Sequence, residues 1–145
     1  ELIFVMDADR QFGISEITKL IPYMKDFDIV VGFRIKRKDP FYRCFLGYCF
    51  NFIIRILFGI KMKDINCGFK LFKANLIRNM HLITKGALIN AEIMALAQRE
   101  KAKIKEAGIN HYPRIYGKQT GASLRVISKA IFEIFQLKWR LLRKD

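Results

Sequence analysis

The chain has 145 residues, of which 52% are hydrophobic, and this is enough for one domain with a buried core. Lysine and arginine total 27 against 13 acidic residues, so the formal net charge is +14. An excess of this size is typical of a protein that binds a polyanion, such as nucleic acid, anionic lipid headgroups or phosphorylated substrates. The 13 phenylalanines, several of them beside cations, favour a membrane interface over nucleic acid.

The sequence indicates neither a zinc site nor a membrane-spanning segment. Cys44, Cys49 and Cys67 are odd in number and lack the paired spacing of zinc ligands, which favours a reduced compartment facing the cytosol. No signal peptide is visible, and no stretch of about 18 uncharged apolar residues occurs. We therefore expect the chain to lie on a membrane without crossing it.

The first predicted element is a strand. Leu2–Met6 is an apolar run typical of a buried parallel strand, which needs neighbours on both sides. We therefore expect the first strands of the sheet to be missing and the chain to be a fragment.

A helix and a second strand follow. Ser15 is predicted to cap the helix, which Pro22 would kink or shorten. Its apolar stripe consists of Ile17, Leu20, Ile21 and Met24. Residues 27–32 are predicted to form the next strand, which gives the strand-helix-strand order of a parallel sheet.

Residues 41–60 are predicted to form a helix with an unusual surface. The segment is apolar except for Arg43, Asn51 and Arg55, which with Gly47 recur at every fourth position and form one narrow stripe. A helix with a thin cationic stripe and an otherwise apolar surface suits a membrane interface. The alternative is a buried core helix whose arginines reach solvent at its ends.

The second half of the chain continues the alternation of strands and helices. We predict a strand at 68–73, a helix at 87–101, an extended segment at 103–112 and a loop rich in glycine and cations at 113–121. Residues 123–144 are predicted to form a long basic amphipathic helix. Such a helix is typical of a membrane surface, although a helix docked on the protein's own core has the same pattern.

Asp7, Asp9 and Gln11 are the sharpest candidates for chemistry. The carboxyl end of a buried strand is where open α/β sheets bind their ligands. Two carboxylates there can converge on one hard divalent cation, and Gln11 can add a neutral oxygen. The sequence therefore predicts a Mg²⁺ or Mn²⁺ site at this strand end. A solvated turn is the alternative for an Asp-x-Asp triplet on its own.

Basic residues that can bind phosphate lie on the same edge and in a later loop. Arg34 follows the second strand and can bind phosphate oxygens through paired hydrogen bonds, although any single arginine can also be a solvated charge. Lys36, Arg37 and Lys38 are predicted to contribute a diffuse field for anionic headgroups. The loop that contains Lys118 could close over a diphosphate.

Three further residues are candidates with open alternatives. Asp64, shortly before Gly68, could orient or deprotonate an acceptor, or cap a turn. Glu92 lies among apolar residues on a helix face, where an acid is either turned into a site or paired, for example with Arg99. His111 is a candidate as well, but a lone histidine is more often structural.

Taken in order, these segments resemble the family 2 inverting glycosyltransferases of the polyprenyl-phosphate type, such as dolichyl-phosphate mannose and glucose synthases. The matching segments are Asp7-Ala8-Asp9-Arg10-Gln11, Val30-Val31-Gly32-Phe33-Arg34, the run from Asp64 to Phe72, Ala91-Glu92, and His111-Tyr112-Pro113-Arg114 as far as Gly121. They span nearly the whole chain in the family's order.

The resemblance implies an α/β fold that is the C-terminal portion of a nucleotide-diphospho-sugar transferase (Rossmann-like, GT-A) fold with amphipathic interfacial helices. Residues 1–121 would form a partial catalytic domain, with the interfacial helix at 41–60 inside it. Residues 122–145 would form a basic amphipathic C-terminal helix.

The resemblance also implies roles for individual residues. A metal ion would lie at Asp7, Asp9 and Gln11, while Arg34, Arg43 and Arg114 would contact donor or acceptor phosphates. Asp64 and Asp9 are the candidate catalytic residues.

The implied reaction is metal-dependent transfer of a sugar from a nucleotide-diphospho-sugar donor to a polyprenyl phosphate acceptor at the cytoplasmic face of a membrane. The expected partners are that donor, that acceptor and an anionic membrane surface, without nucleic acid. A homo-oligomer is compatible with the sequence.

Two features depart from the family's pattern. Arg10 stands where the family has an apolar residue, and the N-terminal strand and loop that hold the nucleotide base are absent, so we expect the chain alone to be inactive. Two alternatives stay open: a family 2 transferase that uses a lipid-linked saccharide or a cell-surface polymer as acceptor, and a noncatalytic basic module that binds membranes or nucleic acid.

Overall fold

Short apolar runs separated by helices form a mixed sheet. The computed structural model describes residues 1–84, 86–114 and 124–143. The strands are β1 (Leu2–Met6), β2 (Ile29–Arg34), β3 (Phe69–Lys73) and β4 (Ile104–Ile109). The α-helices are α1 (Phe41–Phe58), α2 (Ala74–Arg78), α3 (Ile89–Arg99) and α4 (Leu124–Arg143). Short 3-10 helices cover Ile14–Lys19, Ile21–Lys25 and Gly86–Leu88.

The strand order is β1-β3-β2-β4, so β3 lies between β1 and β2. β3 is antiparallel to both β1 and β2, whereas β2 is parallel to β4. The predicted α/β class is confirmed as a mixed α/β arrangement, but the sheet is mixed and not parallel, because β3 is antiparallel to both of its neighbours. Because β1, β2 and β4 run in one direction, their carboxyl ends lie at the same edge of the sheet, where β3 begins.

β1 is less buried than its apolar sequence predicts. Among the described strands it pairs with β3 alone. Leu2 and Val5 are 45% and 47% exposed, because no described strand covers the second edge of β1. Phe4 packs inward, with its ring edge-on to Phe69 at a centroid distance of 4.8 Å.

The segment between β1 and β2 forms two 3-10 helices in place of the predicted Ser15-capped helix. Gly13 stands at the first N-cap without a side-chain hydrogen bond, so the predicted cap is wrong. Pro22 lies at the start of the second 3-10 helix and separates it from the first, as its lack of an N–H predicts. Leu20 and Met24 still bury their side chains beneath the sheet.

α1 turns its polar stripe towards the protein and its apolar side chains outward. Asn51 and Arg55 donate to the carbonyls of Met62 and Lys63, and Gly59 ends the helix in the left-handed region at φ 67°. The exposed apolar side chains on α1 are those of Phe41, Tyr42, Phe45, Leu46, Tyr48, Phe52, Ile53 and Ile56. The alternative of a buried core helix is therefore wrong for most of its surface.

By length and composition alone, α1 is also long and apolar enough to cross a membrane, although it contains Arg43 and Arg55. Its two arginines and Asn51 face the described protein, so in this structure α1 packs along the protein by its polar side.

The core has two layers, one on each face of the sheet. One layer joins Ile29 and Phe72 to α1, α3 and α4. The other joins Val30, Phe69 and Ile109 to the two 3-10 helices that follow β1. α4 contributes the buried side chains of Ile134 and Leu137 to the first layer.

A buried carboxylate fastens α4 to α3. Glu92 is 0% exposed and accepts hydrogen bonds from the backbone N–H groups of Ile83 and Thr84 and from the Thr84 hydroxyl. Its cation is Arg140, with Nη1 at 3.0 Å, and not Arg99 as the helix spacing suggested. The alternative of a paired structural acid therefore holds for Glu92 in this structure.

Arg140→Gln should lower the free energy of unfolding by about 3 kcal/mol, because Glu92 would keep a buried charge without its cation. Arg78→Gln is the matched control, since Arg78 pairs with Glu1 at 2.6 Å on the surface, and should cost less than about 1 kcal/mol. Urea denaturation followed by circular dichroism measures both variants. Equal losses would contradict the assignment of the buried pair.

Candidate functional site

The predicted acidic pair stands at the edge where the strands end. Asp7 follows β1, and its N–H donates to the carbonyl of Gly68 at 2.9 Å. A Cβ atom added to Gly68 would lie 2.0 Å from Oδ2 of Asp7, so only glycine leaves room for this carboxylate. Partial burial and the neighbouring charge of Asp9 raise the pKa of Asp7.

Asp9 and Gln11 converge on one cation that the protein itself supplies. The N–H of Gln11 donates to Oδ1 of Asp9 at 3.1 Å. Nη2 of Arg114 donates to Oδ2 of Asp9 at 2.6 Å and to Oε1 of Gln11 at 3.3 Å. The side-chain amide of Gln11 is fixed by donating to the carbonyl of Tyr112 at 3.3 Å.

These residues fit a divalent metal in their chemistry. Asp7, Asp9 and Gln11 offer two carboxylates and an amide oxygen, the hard donors that Mg²⁺ and Mn²⁺ prefer. The raised pKa of Asp7 reflects its burial first and the charge of Asp9 second, and the charges of Lys70, Arg34 and Arg114 offset these effects only in part. No group of three or more His, Cys, Asp or Glu residues suited to a metal occurs in the described residues, so water and a ligand would have to complete the shell.

Asp39, which the sequence analysis did not single out, gathers three arginines at the entrance to α1. Its side chain is 2% exposed, with Nη2 of Arg37 at 2.9 Å, Nη1 of Arg43 at 3.5 Å and Nη1 of Arg34 at 3.7 Å. Burial alone would raise the pKa of Asp39, but the hydrogen bond from Arg37 and the nearby positive charges hold it below its usual range. Arg37 is therefore a fixed part of the site and not part of a diffuse surface field.

Asp64 lies behind Arg34. Nε and Nη2 of Arg34 donate to the two carboxylate oxygens of Asp64 at 2.6 and 2.8 Å. Burial would raise the pKa of Asp64, but the hydrogen bonds and charge of Arg34 lower it. A carboxylate held in this way orients the guanidinium and is a poor proton acceptor.

His111 supports the backbone that carries these arginines. It is buried, and its Nδ1 accepts from the N–H of Lys38 at 3.1 Å. Burial and the charge of Arg34 lower the pKa of His111, which favours the neutral ring that this acceptor role requires. Its ring also stands edge-on to Phe12, with centroids 5.4 Å apart.

Lys70 is a second residue that the sequence analysis missed as a candidate. It lies in the middle of β3 and is 1% exposed, and its Nζ donates to the carbonyl of Cys67 and to Oδ1 of Asn90, the latter at 2.7 Å. Burial lowers the pKa of Lys70 to about 8. A lysine flanked by Phe69 and Leu71 inside a predicted strand was the signal that could have identified it.

A cavity of about 370 Å³ joins the acids, the arginines and an apolar groove. Its polar walls include Asp7, Asp9, Gln11, Arg34, Arg37, Asp39, Arg43 and Arg114. Its apolar walls come from α1 and α4, and they include Leu46, Phe50, Ile53, Val126, Ile127 and Ile131. The lining of the cavity thus includes acidic side chains, arginine side chains and an apolar groove between α1 and α4.

Most of the predicted site residues meet in this cavity. Asp64, Glu92 and His111 do not line it in the described structure and act through the contacts given above. Lys118 lies outside the described residues.

The names of curated proteins with similar sequences each combine a polyprenyl phosphate with a sugar. The chain is 27% identical to a dodecaprenyl-phosphate galacturonate synthase from Rhizobium johnstonii over 146 residues, which is 96% of this chain and 43% of that protein. It is 32% identical to a dolichyl-phosphate beta-glucosyltransferase from Trichomonas vaginalis over 126 residues, 75% of this chain and 38% of that protein. It is 25% identical to an undecaprenyl-phosphate 4-deoxy-4-formamido-L-arabinose transferase from Pectobacterium carotovorum over 130 residues, 88% of this chain and 38% of that protein.

The chain therefore spans less than half the length of these relatives, all of which are family 2 glycosyltransferases. No family model matches the chain.

The burial of Lys70 predicts a pH-dependent stability. The pKa of Lys70 falls from the ordinary 10.5 to about 8 in the folded protein, so between these values the unfolded chain binds more protons and stability rises with pH. From about pH 7 to about pH 9.5, the wild type should gain about 2 kcal/mol of unfolding free energy relative to Lys70→Met.

Urea denaturation at the two pH values measures this difference. Lys73→Met, at the surface end of the same strand, controls for the loss of one positive charge. If the gap between wild type and Lys70→Met is the same at both pH values, burial does not perturb Lys70.

Proposed function

Because this chain is homologous to the polyprenyl-phosphate sugar transferases of glycosyltransferase family 2, we propose that its full-length protein transfers a sugar from a nucleotide-diphospho-sugar to a polyprenyl phosphate. The reaction takes place at the cytoplasmic surface of a membrane. The described sheet and helices are the C-terminal portion of a nucleotide-diphospho-sugar transferase (GT-A) fold.

The observation that carries this proposal is the composition of the cavity. A polyprenyl phosphate is an anion attached to a long hydrocarbon chain, and the cavity places guanidinium groups beside an apolar groove between α1 and α4. A nucleotide-diphospho-sugar needs positive charge near its diphosphate, and the acidic strand end with Arg114 lies in the same cavity. One cavity therefore has separate surfaces for both substrates.

The acceptor phosphate binds at the arginines around Asp39. Asp64 neutralises Arg34, so Arg37 and Arg43 share Asp39 and leave one positive charge uncompensated. Guanidinium groups match the oxygens of a phosphate through paired hydrogen bonds. The isoprenoid chain extends from there along Leu46 and Phe50 of α1.

The donor diphosphate binds in the same cavity, at the acidic strand end and Arg114. Asp7, Asp9 and Gln11 would hold Mg²⁺ or Mn²⁺ there. When bound, the cation neutralises charge on the leaving nucleoside diphosphate. Arg114 supplies further positive charge, and its Nε has no hydrogen-bond partner within the described structure.

The reaction needs little proton transfer from the protein. A phosphate acceptor is ionised near neutral pH, so its oxygen can attack the anomeric carbon directly while the nucleoside diphosphate leaves. The lowered pKa of Asp64 suits this scheme, because Asp64 then serves to orient Arg34 and not to remove a proton. The protein's contribution is to hold two anions at a reacting distance and to stabilise charge on the leaving group.

Transfer of radiolabelled sugar into undecaprenyl phosphate tests the proposal directly. Full-length protein is incubated with UDP-glucose, UDP-galacturonate or GDP-mannose, and label is counted in the organic phase. Asp9→Ala should transfer at least about a hundredfold more slowly, because it removes a metal ligand and the partner of Arg114.

EDTA should stop the reaction, and Mg²⁺ or Mn²⁺ should restore it. Asp26→Asn, at an exposed turn outside the cavity, is the matched control. A normal transfer rate for Asp9→Ala would contradict the proposed metal site. A wild-type protein that labels no acceptor would contradict the proposed reaction.

The outer surfaces of α1 and α4 support a membrane location. Both helices expose aromatic side chains, among them Tyr48 and Phe52 on α1, with ring centroids 6.5 Å apart, and Trp139 on α4, whose ring lies 4.8 Å from the Arg143 guanidinium. Aromatic residues beside basic ones are typical of a helix that lies in a lipid interface. The net charge of +14 adds attraction to anionic headgroups.

Flotation with phosphatidylglycerol vesicles at low salt measures this attachment. The wild type should float, and the double variant Tyr48→Ser with Phe52→Ser should partition at least about tenfold more weakly, because it loses apolar area that enters the lipid. Ile14→Ser, an exposed apolar residue outside both helices, should float like the wild type. A wild type that stays in the dense fraction would contradict the membrane location.

A further inference from the structure

Two asparagine side chains that line the cavity have carbonyl oxygens without a hydrogen-bond donor among the described residues. Oδ1 of Asn51 and Oδ1 of Asn66 are buried, and among the described residues neither has a hydrogen-bond partner. Both residues line the cavity. An unpaired buried carbonyl costs about 1–3 kcal/mol, so such atoms in a folded protein call for a partner.

The orientation of Asn51 is set by its other amide atom. Nδ2 of Asn51 donates to the carbonyl of Lys63 at 3.5 Å, which leaves Oδ1 on the opposite side of the amide group. Asn51 is only 7% exposed, so bulk water does not satisfy this oxygen. Gly47 lies one turn before Asn51. A Cβ atom added to Gly47 would lie 2.7 Å from Nη1 of Arg37, so the glycine leaves room for this guanidinium.

The missing partner has to be a hydrogen-bond donor. An ionised phosphate offers only acceptor oxygens, and an isoprenoid chain offers no polar hydrogen. A metal ion at Asn51 is disfavoured by the Arg37 guanidinium packed one turn away. A bound water molecule and a hydroxyl group are both such donors, and in the proposed reaction the group near the two phosphate sites that carries several hydroxyls is the sugar.

Asn90 shows by contrast why these two residues differ from a general polar lining. It also lines the cavity, but its Oδ1 already accepts from the buried Lys70 ammonium at 2.7 Å. Among the described residues, the buried side-chain oxygens without a hydrogen-bond partner are Oδ1 of Asn51 on α1 and Oδ1 of Asn66, which lies between Asp64 and Gly68 beside the acidic strand end.

We propose that Asn51 and Asn66 form a sugar-binding wall of the cavity, in which their carboxamide oxygens accept hydrogen bonds from hydroxyl groups of the transferred sugar. The inference rests on the proposed function. It adds which side chains select the donor sugar, and it places that sugar between the acidic strand end and the arginines around Asp39. Both asparagines are specificity determinants and take no part in bond making.

The test compares Asn51→Leu and Asn66→Ala in the full-length protein, with undecaprenyl phosphate as acceptor and whichever of UDP-glucose, UDP-galacturonate and GDP-mannose the wild type uses. For each variant, kcat/KM for the sugar nucleotide should fall by about tenfold or more, because a hydroxyl loses its acceptor. Inhibition by the free nucleoside diphosphate and the KM for undecaprenyl phosphate should stay within about twofold of wild type. Asn75→Ala, at an exposed asparagine outside the cavity, is the matched control.

Thermal melting separates a binding role from a structural one. Asn51→Leu removes the unpaired Oδ1 together with one 3.5 Å hydrogen bond to the Lys63 carbonyl, which still accepts from Arg55 at 2.9 Å, so its Tm should stay close to that of the wild type while its kcat/KM falls. Should Asn51→Leu not fold, Asn66→Ala decides the question, since the side chain of Asn66 makes no hydrogen bond among the described residues.

Donor analogues that lack one sugar hydroxyl give a second readout. The wild type should lose about tenfold in kcat/KM with the analogue that lacks the recognised hydroxyl, and the corresponding asparagine variant should lose nothing further. Unchanged kcat/KM in both variants would overturn the sugar-binding wall. So would an inhibition constant for the free nucleoside diphosphate that rises by the same factor by which kcat/KM falls. Either result would leave the proposed transfer reaction intact. A wild type that transfers none of the three sugars would instead overturn the proposed function and this inference with it.

Discussion

The ion pair between Arg34 and Asp64 is the contact on which the candidate site depends. It joins the end of β2 to the segment before β3 through two hydrogen bonds of 2.6 and 2.8 Å, and both side chains are about nine-tenths buried. Removing either partner would leave a buried charge alone, which costs several kcal/mol. Because Nε and Nη2 of Arg34 face Asp64, Nη1 is left towards Asp39, which in turn holds Arg37 and Arg43. One buried pair thus sets where positive charge enters the cavity.

A second constraint concerns the orientation of α1. Its polar side chains make hydrogen bonds to the protein, whereas many of its apolar side chains are exposed. In a water-soluble domain the apolar stripe of a helix faces the core. Here Arg55 and Asn51 satisfy the backbone carbonyls of the loop after α1, and the aromatic side chains are left outside. Exposed apolar area of this extent is unfavourable in water, and contact with lipid or with further protein removes that cost. The same arrangement lets Phe50 and Ile53 line the cavity from the side, so the outer surface and the groove belong to one helix.

The sequence predicted local features well and long-range pairings poorly. The strand at 68–73 and the helices at 87–101 and 123–144 lie within about two residues of β3, α3 and α4, because hydrophobic periodicity reports which residues share a face. The position of β3 between β1 and β2 depends on contacts far apart in the chain, which periodicity does not contain. Asp39 and Lys70 were missed for the same reason. An acid within a basic run and a lysine within a strand acquire their roles only from partners that folding brings to them.

Arg114 connects the acidic strand end to the proposed chemistry. Its guanidinium contacts the oxygens of Asp9 and Gln11 that are also expected to bind a divalent cation, so Arg114 and that cation compete for the same atoms. Neither of these hydrogen bonds reaches Asp7, whose pKa stays raised. In the proposed reaction, a cation held by Asp7 and Asp9 would displace Arg114 from Asp9, and the freed guanidinium could then pair with the donor diphosphate. Asp9 would thus have a positive partner both without and with the metal, and Arg114 would contribute to the leaving group only after that exchange.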